Sequence, residues 1–179
     1  MTTGTFSIMK FINVAMTTLL LSSAGSATAA TTATTTLTIN VTFTQPSCDI
    51  TVPSSYNLGT LTPGGPKPHG DFDITWSCQG NTPLKTALTA DIVTGTPEGD
   101  DKVRMISGGQ ATGASLSLIE KGTSLPIKLT GSGAMDYFCS DATETTNIRT
   151  CTLTPITEVS RNGRFGLASA TLRFEVGYP

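Results

Sequence analysis

Apolar and polar side chains alternate along many short stretches of this chain, and a period of two is typical of half-buried strands. Beyond residue 30 no apolar stripe with a helical period of 3.6 residues stands out. The chain's 18 glycines and 10 prolines separate the alternating stretches. The clearest short example is the series Phe72, Ile74, Trp76 and Cys78. Many short strands at this spacing predict one all-β domain, a sandwich with Greek-key connections.

The pattern predicts strands of unequal length, separated by turns rich in glycine, proline or charge. We expect a loop at 63–66, a charged turn at 98–102 and a flexible turn at 108–113. A polar loop is expected between 137–139 and 149–153. The expected strands are 35–44, 48–53, 72–78, 87–94, 114–120, 125–129 and 166–178.

The first of these strands has one strongly apolar face. Its apolar residues are Leu37, Ile39, Val41 and Phe43, and threonine or asparagine stands between them. Gln45-Pro46 follows at once, and Pro46 stiffens the chain and lacks a backbone donor. On pattern alone an ordinary first strand of the same sandwich is favoured, and a segment separable from the domain is the alternative.

The last predicted strand is long and ends near the C terminus. Glycine and apolar residues occupy every second position, and the intervening positions are mostly polar. This pattern predicts one buried face. The residues of that face are Gly166, Ala168, Ala170, Leu172, Phe174, Val176 and Tyr178.

The first thirty residues read as a secretory signal peptide. Lys10 is their only charged residue, and an apolar run at 11–21 and small residues at 22–30 follow it. Cleavage is expected before Ala30, with cleavage before Thr31 and a start at Met9 as alternatives. A buried N-terminal helix is the competing interpretation.

Four cysteines in an exported chain are expected to form disulfides. Three connectivities are possible, and the simplest joins sequence neighbours: Cys48 with Cys78, and Cys139 with Cys151. The loop-entropy relation assigns these bonds about 3.7 and 2.9 kcal/mol. Zinc is disfavoured because the sequence has no C-x-x-C pair and a single histidine.

Charge and residue types argue against several functions. The chain has 11 Lys+Arg against 13 Asp+Glu and no basic stripe, so we expect no nucleic-acid partner. No later apolar run is long enough to span a bilayer. His69 has no evident catalytic partner, and Asp71 and Asp73 suit a solvated strand face. We expect no enzyme activity, cofactor or metal.

Taken together, these features resemble the fimbrial subunits assembled by the chaperone–usher pathway. The resemblance covers nearly the whole chain after the signal peptide. It is carried by the alternating segment 37–43, the Pro46-Ser47-Cys48 step with Cys78 further on, and the stretch 115–122. At the C terminus, Gly166 and the penultimate Tyr178 complete it.

The resemblance implies an immunoglobulin-like sandwich that lacks one strand, with a hydrophobic groove beside its last strand. It implies residues 1–29 as signal peptide, 30–45 as donor-strand extension and 46–179 as the pilin domain. A periplasmic chaperone fills the groove first. At the outer-membrane usher, the extension of a neighbouring subunit replaces it, with Leu37 to Phe43 as donor and Gly166 to Tyr178 as acceptor strand.

This reading places the protein in a fimbrium on the bacterial surface, contributing to cell adhesion, with a host receptor as a further partner. Many such extensions carry a glycine facing the groove, and residues 31–45 contain none. The sequence therefore leaves open which neighbouring subunit's groove this extension fits. The alternatives are a minor tip or adaptor pilin that binds a receptor directly, and an unrelated periplasmic binding module or enzyme.

Overall fold

The computed structural model describes residues 38–41 and 46–179 of the chain. The predicted signal peptide, Leu37 and Phe43 lie outside the described residues. Thr38 to Val41 belong to an N-terminal unit that ends at Thr42, and they have no regular secondary structure. A second unit begins at Phe43 and contains all the strands described below.

Two antiparallel sheets make up the second unit. In the larger sheet the strand order is β1-β3-β8-β7-β6-β5, and β2 pairs with the end of β8. The smaller sheet consists of β4 and β9. The strands are β1 (Cys48–Thr51), β2 (Gly64–Pro68), β3 (Phe72–Cys78), β4 (Ala87–Thr94), β5 (Thr96–Pro97), β6 (Val103–Ser107), β7 (Gln110–Glu120), β8 (Arg149–Val159) and β9 (Thr171–Gly177).

The hydrophobic core lies between these two sheets. On β3 the alternation places Ile74 and Trp76 inside, while β4 contributes a continuous buried run, Ala87–Ala90. From the larger sheet the core also includes Val103 of β6, Leu118 of β7, and Cys151 and Leu153 of β8. Each large apolar side chain buried in this way contributes about 1.5–3 kcal/mol. The expected all-β sandwich is therefore present.

Both expected disulfides are present, and each adds a covalent link between two parts of the domain. Cys48–Cys78 links β1 to β3 at directly opposite positions. Cys139–Cys151 ties the segment before β8 to β8 itself and closes the polar loop between them. No free cysteine occurs in the described part of the chain.

A buried polar network holds that polar loop against the core. The Trp76 indole N–H donates to the Thr86 hydroxyl at 2.9 Å, and the Thr86 hydroxyl and N–H donate to Asp141 at 2.8 and 2.9 Å. Arg149 Nε donates to the same carboxylate at 2.9 Å, and its Nη2 donates to two backbone carbonyls. Arg149 and Asp141 side chains are only 6% and 12% exposed.

Several local expectations were wrong, although the sandwich is right. Residues 63–66, expected as a loop, include the start of β2, and the turn expected at 108–113 ends where β7 begins at Gln110. The expected strand 125–129 forms only an isolated bridge between Ile119 and Pro126. β6 was not predicted, and β9 is shorter than the predicted 166–178. β2 pairs with the distant β8, whereas β6 and the start of β7 pair with each other as neighbours in sequence.

We expect Asp141→Ala to destabilise the domain by about 3–5 kcal/mol, because it leaves the buried Arg149 guanidinium without its carboxylate. The measurement is the thermal or urea unfolding midpoint of the purified mature chain. Asp100→Ala is the matched control, since Asp100 is 67% exposed and its ion pair with Lys128 should be worth less than about 1 kcal/mol. Equal losses for the two variants would contradict the prediction.

His69 should make stability fall on mild acidification. Its Nε2 lies 2.7 Å from the hydroxyl of the buried Thr157, and burial, with a smaller effect of Lys67, lowers the pKa of His69 from 6.5. The unfolded state therefore binds a proton more readily, and the stabilising contribution present above pH 6.5 is lost as pH falls through the folded pKa.

The test compares unfolding free energies between pH 7 and pH 5 for the parent chain and for His69→Gln. The pKa of Asp71 is also lowered, by hydrogen bonds from Thr154 and Lys121, but from 3.8, so its effect belongs to more acidic pH. His69→Gln should flatten the profile between pH 5 and 7. An unchanged profile would show that His69 does not contribute.

Candidate subunit-interaction site

The last strand has one face turned toward the core, yet none of its side chains is fully covered. Ala168, Ala170, Leu172 and Phe174 are half-buried, while the intervening residues are exposed. The alternation that the sequence predicts is thus present from Ala168 to Phe174. Gly166 precedes β9 and is exposed, with φ of +132°. Apolar surface that remains accessible in this way can mark a site of interaction with another protein.

One backbone edge of β9 is directed away from β4. The N–H and C=O of Leu88 in β4 both bond to Phe138, on the side away from β9. Directly opposite residues of an antiparallel pair exchange both hydrogen bonds or neither. Val176 lies opposite Leu88, so its N–H and C=O point away from β4, and Phe174 has the same orientation. Within residues 46–179 no strand pairs with this edge.

Hydrogen bonds also form near both ends of the last strand. Before β9, Ser169 and Ile106 exchange two backbone hydrogen bonds of 2.9 Å. After β9, the Tyr178 hydroxyl donates to the Pro46 carbonyl at 2.6 Å and lies 3.2 Å from Cys48 Sγ. The stretch around Phe174 and Val176 is the part of the edge that has no strand partner within residues 46–179.

Apolar side chains from both sheets surround that stretch. Ile50 and Val52, on and just after β1, are half-buried against the core, as are Leu172 and Val176 of β9. Phe174 packs edge-to-face on the buried Phe138, with ring centroids 6.4 Å apart. Among the described strands β1 pairs only with β3, and it also contacts β9. We call the open edge of β9 together with these side chains the edge groove.

The edge groove can accept an extended peptide. An incoming strand would bond to the backbone groups of Phe174 and Val176 and would cover the half-buried side chains, which is β-augmentation. Each additional 100 Å² of apolar surface removed from water would contribute about 2.5 kcal/mol. No nucleophile, base or acid is needed for this association.

The predicted donor residues that the structure describes are accessible. Ile39 is 80% exposed and Val41 is 87% exposed, and the neighbouring Thr38 and Asn40 are exposed as well. Leu37 and Phe43 lie outside the described residues. The roles of the donor residues and of the last strand's residues remain predictions.

Three contacts around the last strand were not predicted from the sequence. The Ser169 bridge and the Tyr178 hydrogen bond join residues far apart in sequence and have no local signal. The third contact is between Gly177 and Tyr137: a Cβ at position 177 would lie 2.5 Å from Tyr137 Cε1. The glycine within an otherwise alternating strand was the one available hint of a close approach.

Within residues 38–41 and 46–179, no group of three or more His, Cys, Asp or Glu side chains is arranged to hold a metal ion. No helix there has the length and apolar character to cross a membrane.

Comparison of the structure with solved structures identifies the fold. The P pilus rod subunit PapA superposes with a TM-score of 0.54 at 20% identity, covering 74% of this chain and 99% of PapA. A chaperone–usher pilus, solved to explain how its rod uncoils, superposes with a TM-score of 0.52 at 18% identity, covering 82% and 96%. The fold is that of a pilus subunit. No protein-family model matches the sequence, and no curated protein matches it.

A pilin fold is consistent with the geometry of β9, which has one backbone edge without a strand partner in the described part of the chain. At these identities the likeness concerns the fold alone. What the edge groove binds must therefore be argued from the residues of this chain.

Proposed function

We propose that this protein is a structural subunit of a chaperone–usher fimbria, exported through the periplasm and polymerised by donor-strand exchange at the cell surface. The observation that carries the proposal is the unpaired edge of β9 beside half-buried apolar side chains. A sandwich with such an edge is incomplete until another strand covers it. The pilin fold and the accessible Ile39 and Val41 support the same conclusion.

The proposed donor and acceptor segments agree in length and periodicity. The groove-facing set of the donor runs from Thr35 through Leu37, Ile39 and Val41 to Phe43, which is five positions of one parity. From Ala170 to Tyr178 the last strand also offers five positions of one parity. Nine residues of extended chain span about 30 Å on either side.

The two ends of the chain have separate roles in this proposal. Residues 30–45 act as donor on a neighbour, and residues 46–179 form the acceptor domain. Before assembly a periplasmic chaperone supplies the missing strand, and exchange takes place at the outer-membrane usher. Because the backbone edge would accept any extended segment, the apolar side chains at alternate positions must provide selectivity. Fimbriae built in this way would contribute to cell adhesion.

Replacing both Ile39 and Val41 with Asp should abolish polymerisation while leaving export and chaperone capture intact. Two carboxylates would have to enter an apolar groove without partners, at a cost of several kcal/mol. The measurement is fibre yield, by sedimentation and electron microscopy, from cells that express chaperone and usher. Thr38→Asp with Asn40→Asp is the matched control, because these residues have the opposite parity. Normal fibres from the Ile39/Val41 variant would refute the donor assignment.

Phe174→Asp should abolish capture by the chaperone, because the new carboxylate lies on the half-buried face that the chaperone strand must cover. The measurement is the amount of subunit that co-purifies with a tagged chaperone from periplasmic extracts. Thr171→Asp, on the exposed face of the same strand, should retain normal capture. A stable, chaperone-bound Phe174→Asp subunit would contradict the acceptor assignment.

A further inference from the structure

The loop that connects β8 to β9 presents both apolar and basic side chains to solvent. Phe165 is 73% exposed and Leu167 is 93% exposed, and Arg161 and Arg164 beside them are exposed too. Arg164 donates to the Gln110 side chain. In the described part of the chain neither arginine forms an ion pair with a carboxylate. We call residues 160–168 the tip loop.

A cleft of about 260 Å³ elsewhere on the domain has the complementary character. Its walls are mainly apolar, and Leu125 at its rim is 75% exposed. Two carboxylates, Glu120 and Asp136, also line it. We call it the end cleft; it is lined by Glu120, Thr123, Leu125, Pro126, Ile127, Lys128, Asp136, Tyr137 and Phe138.

The charge of the end cleft is negative because its carboxylates are not neutralised. Glu120 accepts a hydrogen bond from the Cys139 N–H at 3.1 Å, and Asp136 accepts one from the Thr130 hydroxyl at 2.6 Å. Neither carboxylate forms an ion pair within residues 46–179. The cleft's lysine, Lys128, lies 3.3 Å from Asp100, which offsets its charge.

The tip loop and the end cleft lie at opposite ends of β7, so they do not meet within one molecule. Gly163 of the tip loop is packed against Gly113, near the start of β7, closely enough that neither has room for a Cβ. Glu120 is the last residue of β7. Seven residues of strand separate the two positions, a distance of about 23 Å.

We propose that the tip loop of one copy docks into the end cleft of a second copy, with Phe165 in the apolar cleft and Arg161 beside Asp136. Opposite charges favour this pairing over other orientations. Because the two surfaces are different and lie at opposite ends, the contact is heterologous and repeats from copy to copy. It goes beyond the proposed donor-strand exchange and does not require the edge groove.

Site-specific photo-cross-linking tests this contact in the full chain. With p-benzoylphenylalanine in place of Phe165, irradiation should produce covalent dimers whose cross-links map by mass spectrometry to residues 123–128 or 136–138. The same probe at Ile148, which is 74% exposed and belongs to neither surface, should not produce these cross-links. Cross-links from Phe165 that map elsewhere, or equal yields from Ile148, would overturn the proposal.

A charge exchange tests the polar part of the contact. Asp136→Arg should lower the cross-link yield about fivefold, which corresponds to about 1 kcal/mol. Adding Arg161→Glu to the same chain should restore the yield, because positions 136 and 161 then carry opposite charges again, with the signs exchanged. A yield that does not change in the single variant, or does not recover in the double variant, would overturn the proposal.

The same assay separates this contact from donor-strand exchange. Cross-linking that persists in the Ile39/Val41 aspartate variant, at raised protein concentration and without fibres, would support an independent contact. Fibres that form without any Phe165 cross-link would overturn the contact and leave the proposed function standing. A parent chain that cross-links as proposed but never polymerises would support the contact and refute the donor assignment.

Discussion

The structure depends on how a sandwich meets two needs: backbone groups at a sheet edge need hydrogen-bond partners, from another strand or from water, and apolar faces need cover. For β9, β4 satisfies one edge and the core covers part of one face. The other edge, around Phe174 and Val176, has no strand partner within residues 46–179. This unpaired edge, beside half-buried apolar side chains, is the place where the proposed donor strand would bind.

The alternation of an incoming strand matters as much as the open edge. A one-residue slip would turn its apolar side chains from the groove to solvent, so strict alternation would specify its register. Near the end of β9, the Tyr178 hydroxyl donates to the Pro46 carbonyl and links the last residues of the chain to the segment before β1.

An incomplete sandwich must obtain stability elsewhere, and this domain does so with covalent and buried polar links. Cys48–Cys78 joins the outermost strand β1 to β3, beside the edge groove. Cys139–Cys151 and the Asp141–Arg149 pair hold the long polar loop on the core, opposite β9 across β4. Cys48–Cys78 thus lies beside the edge groove, while the other two links join β8 to the loop that precedes it.

Local sequence determined a great deal here, because strand periodicity is a property of neighbouring residues. The alternation at Phe72 to Cys78 and at Ala168 to Phe174 indicated which side chains face inward, and the four cysteines paired as neighbours. The all-β class followed from the same patterns. A feature that depends only on neighbouring residues, such as the alternation of a strand, can be predicted from the sequence.

What depends on distant partners was decided only by the tertiary structure. β2 contains prolines and glycines and reads as a loop, but it lies beside the end of β8, where an edge strand tolerates prolines. The segment 125–129 alternates like a strand, yet finds only a single bridge. The open edge of β9 and the separation of the tip loop from the end cleft likewise follow from which strands meet. The sequence by itself determined which side chains of each strand face the core. The tertiary structure decided which strands pair, because strands that hydrogen-bond in a sheet can be far apart in the sequence.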